Sequence, residues 1–277
     1  MASVTLEALT DESVERALVV VAHPDDADFW AGGTLARWSA AGIAVTYLIL
    51  TDGDAGGFDP ATPREDIPRI RRSEQKAAAR ILGVHDVRFL GLAEGTIVQG
   101  AELRRQIVRV IRLVRPRRLL TWSPQWNWSR FRTSCHVDHR ATGEVTLTAA
   151  YPDAGNAFAH PDLIDSESLD PWEVEEIWML NARQPNHYVD VTETFNSKIE
   201  ALRAHRSQTG HRYRLADEMR ERLEPNSAAA GLAVGRPSPA AQALGRALRR
   251  RRCHHDRRRV AHPTLPSSTP LWTARVR

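Results

Sequence analysis

Two short clusters hold the residues with chemistry. The first is His23-Pro24-Asp25-Asp26, with Asp28 close behind, directly after the apolar run Leu18-Val19-Val20-Val21. The second is His136-Val137-Asp138-His139. Neutral imidazole and carboxylate both ligate zinc and related divalent ions. A catalytic metal site needs three protein ligands and one open position. A bend can turn His23 and Asp26, three residues apart, toward one point. The remaining ligand must then come from another loop. His136 and His139, three apart at a helix start, can face one direction, so that one binds metal and the other faces a substrate. Each cluster alone has a plainer reading. Asp25 or Asp26 would suit a helix cap, Asp138 a first-turn position, and Asp28 a cap or a solvated site. Their joint occurrence points to a site.

The elements that must position these clusters follow from periodicity. Residues 17–22 read as a fully buried strand, and 43–50, 87–90, 118–122, 174–180 and 187–191 as further strands. Helical spacing runs over 29–41, 69–82, 103–114, 136–151 and 192–204. Strands alternating with helices imply an α/β fold: a Rossmann-like, doubly wound, mostly parallel sheet with helices on both faces. In such sheets the site lies beyond the carboxyl ends of the strands. HPDD follows the first strand, the glycine-rich TDGDAGG the second, and HVDH the loop after the fourth. A nucleotide-binding Rossmann protein would need G-x-G-x-x-G where HPDD stands.

Composition narrows the function classes. The chain has 277 residues, two cysteines (Cys135 and Cys253) and no apolar run long enough to span a membrane. Two cysteines are too few for a disulfide framework, no secretory signal is legible, and the expected location is cytoplasmic. The overall charge is +4, but eleven arginines against one aspartate lie in 236–277. The first 235 residues are therefore net acidic and give no electrostatic reason to bind nucleic acid.

AHPDD after a first strand, TDGDAGG after a second, RRSEQKAAARILGV, HVDH after a fourth strand and YVDVTETFNSKIEALRAHRSQ resemble the PIG-L/LmbE-like metal-dependent deacetylases. The resemblance spans residues 17–208. It implies removal of the acetyl group from an N-acetylglucosamine-type amino sugar or conjugate, or cleavage of a related amide of a thiol-sugar conjugate. It makes His23, Asp26 and His139 the ligands of one Zn2+ per chain, with other divalent ions compatible. Asp25 becomes the general base. His136 becomes the residue that stabilises the tetrahedral intermediate and protonates the leaving amine. Asp54 and Arg71 are carried over as substrate contacts, although Arg71 and Glu74 also suit an i, i+3 surface pair. Asp138 is expected to orient one of the histidines. Relatives often read P-x-R-N where this chain has Pro124-Gln125-Trp126-Asn127, so a tryptophan stands in place of an arginine. The implied partner is a small N-acetylated amino sugar or glycoconjugate, and an oligomer is compatible.

Two segments are expected: a deacetylase domain over 1–235 and an arginine-rich tail over 236–277. The tail has Pro and Ser clusters without apolar periodicity, a composition that suits a disordered basic appendage or a shifted reading frame. A short basic helix over 240–252 is the only element expected there, and the tail is expected to be dispensable for folding. Nucleic-acid binding through it is the alternative function.

Overall fold

The computed structural model describes residues 9–231 and 241–247. Seven strands form one sheet in the order β3-β2-β1-β4-β5-β7-β6. They are β1 (Arg16–Val21), β2 (Ala44–Thr51), β3 (Asp86–Leu92), β4 (Arg118–Trp122), β5 (Glu176–Leu180), β6 (His187–Asp190) and β7 (Ala241–Ala247). The first five run parallel, and β7 is antiparallel to both β5 and β6. The helices are α1 (Asp26–Ala40), α2 (Ile67–Ile81), α3 (Ala101–Val114), α4 (Phe131–Cys135), α5 (Val137–Thr148), α6 (Pro161–Asp165), α7 (Phe195–Ala204), α8 (Arg206–Thr209) and α9 (Leu215–Ala229).

β1, β2 and β4 bury nearly every residue, which is why they read as continuous apolar runs rather than alternating ones. Their pairing is direct, with Leu18 opposite Leu119 and Val20 opposite Thr121. The chain leaves β1 toward β2 on one side and reaches β4 on the other, so the winding reverses between β1 and β4. That reversal opens a crevice beyond their carboxyl ends, the usual ligand position in a doubly wound sheet. His23 follows β1, and His136 and His139 follow β4.

Two close approaches hold the loops there. A Cβ on Gly143 of α5 would come within 2.3 Å of the Trp122 carbonyl oxygen, so glycine alone lets α5 lie against the end of β4. Gly53, with φ at +61°, leaves room for the Arg71 guanidinium, which would otherwise lie 2.2 Å from a Cβ.

The expected boundary at 235 is corrected by β7. Ala241–Ala247 is a strand and not a basic helix, and it pairs with β5 and β6 at once. Gln242 is buried: its side-chain oxygen accepts hydrogen bonds from the backbone N–H and hydroxyl of Thr34, and its amide donates to the Trp30 carbonyl at 3.0 Å. A strand lying between two others is held by ladder hydrogen bonds on both sides and needs little apolar surface of its own. The rest of the expected tail lies outside the described residues. α9 was also not anticipated. It carries Pro225 inside it, and Leu215, Met219 and Leu223 supply its buried stripe.

Candidate active site

α1 begins earlier than its apolar pattern suggests. Asp25 takes a left-handed conformation, φ 97°, and its carbonyl accepts from the N–H groups of Asp28 and Phe29. The helix therefore starts at Asp26, and the HPDD bend is a strained junction between β1 and α1. Asp26 and Asp28 sit in its first turn, where a carboxylate meets the positive end of the helix dipole.

The bend brings Asp26 back over His23. The backbone N–H of His23 donates to Asp26 Oδ2 at 2.9 Å, and Trp122 Nε1 donates to the same oxygen at 3.1 Å. His23 Nδ1 lies 3.4 Å from Asp26 Oδ2, His139 Nε2 lies 3.3 Å from Asp26 Oδ1, and the two histidine nitrogens lie 3.2 Å apart. Three ligands on a tetrahedral zinc at about 2.0–2.1 Å stand roughly 3.3–3.4 Å from one another, so this spacing fits one small divalent cation. Both histidines are oriented from behind. His23 Nε2 faces Asp138 Oδ2 at 3.0 Å, and His139 Nδ1 faces the Thr133 carbonyl at 3.1 Å. With a metal bound, each acceptor would hold a proton on the far nitrogen and leave the near nitrogen free to face the common point. Trp122 stacks on His139 at 3.9 Å and fixes the ring plane.

Asp138 is fully buried. It also accepts from the N–H groups of Gly95, 2.6 Å, and Ile97, 3.2 Å, which ties the loop after β3 to the start of α5. His136 is the third imidazole within ligand range of His23 and His139, with ligand atoms inside 4.8 Å of one another. Asp26 approaches the same two histidines through different carboxylate oxygens, Oδ2 to His23 and Oδ1 to His139. His136 is about a third exposed and faces Glu94, its Nε2 3.6 Å from Glu94 Oε1.

The electrostatics favour a cation. Burial disfavours the His23 imidazolium, yet Asp26, Asp138 and Glu94 outweigh it and lift the pKa to about 10. Burial likewise acts to raise Asp26, but His139 and His23 hold it well below the ordinary carboxylate range. The same negative potential would serve a metal ion. Burial raises the Asp25 carboxyl above its ordinary range, opposed by Arg71, His205 and His23. An elevated carboxyl beside a ligand set suits proton transfer.

Arg71 does not stand open to a substrate. Its side chain is 5 % exposed and donates to the carbonyls of Gly53, 2.8 Å, and Pro24, 2.5 Å, while facing Asp25 at 3.3 Å and Glu94 at 3.7 Å. Three loops converge on this one buried guanidinium, which gives it a structural role beside the expected one as a sugar contact. Arg71 does not pair with Glu74, which instead accepts from the backbone and hydroxyl of Ser207. Asp54 borders the site and is held in place. Its carboxylate accepts the Glu94 N–H at 2.7 Å and pairs with Arg64 at 3.0 Å, and the Glu94 bond is the main reason its pKa is lowered. Asp28 is neither a cap nor solvated. It is fully buried and accepts from Gln75 Nε2, 2.8 Å, and Tyr47 Oη, 3.2 Å, with His205 Nε2 at 2.7 Å.

Three residues went unnoticed in the sequence. Gln75 accepts the strained Asp25 N–H at 2.7 Å, Glu94 links Arg71 to His136, and His205 supports Asp28. Only Glu94, on the loop after β3 at the same sheet end, carried a positional signal. Trp126, where relatives often have arginine, is 42 % exposed under the guanidinium of Arg140 at 3.9 Å. Asn127 is buried against the carbonyls of Asn181 and Ala182.

The chain is 33% identical over 195 residues to the diacetylchitobiose deacetylase of Thermococcus kodakarensis, covering 70% of each protein. It is 32% identical over 199 residues to a probable N-acetyl-alpha-D-glucosaminyl L-malate deacetylase 2 of Bacillus cereus, covering 69% of this chain and 83% of that one. The N,N′-diacetylchitobiose deacetylase of Pyrococcus horikoshii, solved with its inhibitor MPG, superposes with a TM-score of 0.73 at 25% identity over 85% of each chain. Residues 18–150, which hold both histidine clusters, match the family described as PIG-L: GlcNAc-PI de-N-acetylase, and the chain belongs to that family.

Proposed function

We propose that this protein is a metal-dependent hydrolase that removes the N-acetyl group from an N-acetylglucosamine-type amino sugar or conjugate. The observation that carries the reading is the trio His23, Asp26 and His139, spaced for one tetrahedral ion with both imidazoles oriented from behind, beside the elevated carboxyl of Asp25. These three residues would hold the ion, zinc in this reading. A bound ion would supply a Lewis acid for the acetamide carbonyl and make a water acidic enough to attack near neutral pH. Asp25 takes the proton of that water. His136, the most exposed imidazole of the cluster, donates a hydrogen bond where the oxyanion develops and then a proton to the leaving nitrogen. The carbonyl carbon gains oxygen as its bond to nitrogen breaks, giving acetate and the free amine. Glu94 faces His136, with its Oε1 3.6 Å from the ring Nε2. The relatives named for chitobiose and glucosaminyl-malate substrates support an amino sugar over other amides. The cysteine usage supports a cytoplasmic setting. No helix among the described residues is long and apolar enough to cross a membrane.

The test is incubation of the metal-loaded protein with a panel of N-acetylated amino sugars and conjugates, with detection of free amine and acetate. Amine release from at least one member is expected. A fully loaded protein that releases amine from none would sink the reading.

A further inference from the structure

Beside the metal trio lies a second concentration of charge. A small cleft of about 50 Å³ opens between the start of α1, the loop after β4, α7 and α9. Arg130, Arg222 and Lys198 line it, together with Trp30, Asn181 and Gln242. The Arg222 guanidinium lies 4.1 Å over the Trp30 ring, and that of Arg130 lies 5.6 Å from the same ring. Among the described residues neither guanidinium has a carboxylate partner. Burial and the nearby Arg130 and Arg212 all act to lower Arg222, whose pKa falls to about 10. Arg212 is itself engaged by Glu218. Asp28 influences Lys198, but its carboxylate is occupied by Gln75, Tyr47 and His205. Lys198 spends two donors on the carbonyls of Asp28 and Phe29. Partly buried charges in folded proteins are ordinarily paired, and a cleft lined by two guanidiniums that have no carboxylate partner among the described residues is built to receive an anion.

Its position says whose anion. Trp30 meets Trp122 edge-on at 5.2 Å, and Trp122 stacks on His139. Arg130 belongs to the loop that runs on to His136. The cleft therefore lies beside the candidate active site, separated from His139 by the buried ring of Trp122. At about 50 Å³ it has room for an oxyanion head and not for a sugar ring. We infer that Arg130 and Arg222 bind the carboxylate or phosphate of the substrate's aglycone, so that the preferred substrate is an amino sugar conjugated to an acid rather than a neutral sugar. The assignment to a substrate rests on the deacetylase reading above; the anion cleft does not.

The full-length, metal-loaded protein is titrated separately with succinate and with inorganic phosphate, following tryptophan fluorescence, in the wild type, Arg130→Gln, Arg222→Gln and the exposed-surface control Arg214→Gln. Binding at the metal centre is common to all four proteins, so the arginine-dependent part reports the cleft. The dissociation constant for at least one anion is expected to rise about tenfold or more in each of the first two variants and to stay put in the control, as loss of a charge-assisted contact requires. Which anion responds tells carboxylate from phosphate. Unchanged affinity for both anions in Arg130→Gln and Arg222→Gln would overturn the cleft; should Arg222→Gln fail to fold, Arg130→Gln decides alone. Paired assays then compare N-acetylglucosamine conjugates with neutral and acidic aglycones. A kcat/KM at least about tenfold higher on the acidic member is expected, and equal values overturn the substrate assignment. Arginine-dependent anion binding with no turnover of either conjugate would uphold the cleft and refute the deacetylase reading.

Discussion

His23 Nδ1 and His139 Nε2 lie 3.2 Å apart across 116 residues of sequence, and each ring is pinned from behind, by Asp138 and by the Thr133 carbonyl. At that separation one ring N–H can donate to the other nitrogen, and with a metal bound both lone pairs can face the same cation. Asp138→Asn should therefore weaken metal affinity by about 10–100-fold, the usual effect of losing such a supporting carboxylate. Metal content after dialysis against a graded chelator reads this directly, and excess metal should restore turnover. Retention of metal equal to wild type would remove Asp138 from this role.

Asp25 is the candidate base and stands apart from the ligand trio. Asn tolerates the left-handed conformation that position 25 requires. Asp25→Asn should keep its metal and lose at least about 10²-fold in kcat. Elemental analysis and single-turnover kinetics check the two halves. A variant that loses metal would make Asp25 a ligand instead.

Arg71 joins three loops through two carbonyls and two carboxylates. Arg71→Ala should destabilise the fold by about 3 kcal/mol, as expected when one partner of a buried ion pair is removed. Urea unfolding measures it. A variant of native stability with only a raised KM would make Arg71 a substrate contact and not a structural one.

Truncation after residue 240 removes β7 from between β5 and β6 and takes Gln242 from α1. The truncated chain should unfold at a clearly lower temperature than the full one. Gln242→Ala should cost about 1–3 kcal/mol through the stranded Thr34 and Trp30 groups. Thermal denaturation of both proteins is the check, and a truncation without effect would show that β7 is dispensable.

Burial pushes the Lys198 ammonium down to about 7 from its ordinary 10.5, although Asp28 pulls the other way. The native chain then gives up this proton near pH 7, while the unfolded chain keeps it to about 10.5. Between these values the unfolded state binds more protons, so this group makes stability rise with pH. Below pH 7 both states hold the proton and its contribution is flat. The unfolding free energy of wild type minus that of Lys198→Met should therefore climb from pH 7 to 10. A flat or falling difference would refute the shift.

The residues that could ligate a metal were legible because HPDD and HVDH are local: each sets its spacing within four residues, and each follows a strand whose apolar run announces it. The parallel sheet was legible for the same reason, since strands buried on both faces leave an unbroken signature. The support of the site was not. Gln75 reaches Asp25 across 50 residues and His205 reaches Asp28 across 177, and no local pattern marks a polar residue for burial. Arg71 suited a sugar contact or a surface pair with Glu74, and only the convergence of three loops buried it. β7 was illegible because a small-residue strand takes its identity from the edges of β5 and β6. Sequence by itself determined the types of the candidate ligands, their order along the chain and the sheet end to which they belong. The tertiary structure decided which nitrogen faces the common point, which carboxylates are held back, and that two arginines gather in a cleft where no acid among the described residues meets them. Those outcomes depend on contacts between segments far apart in the chain, formed only when the sheet closes its order.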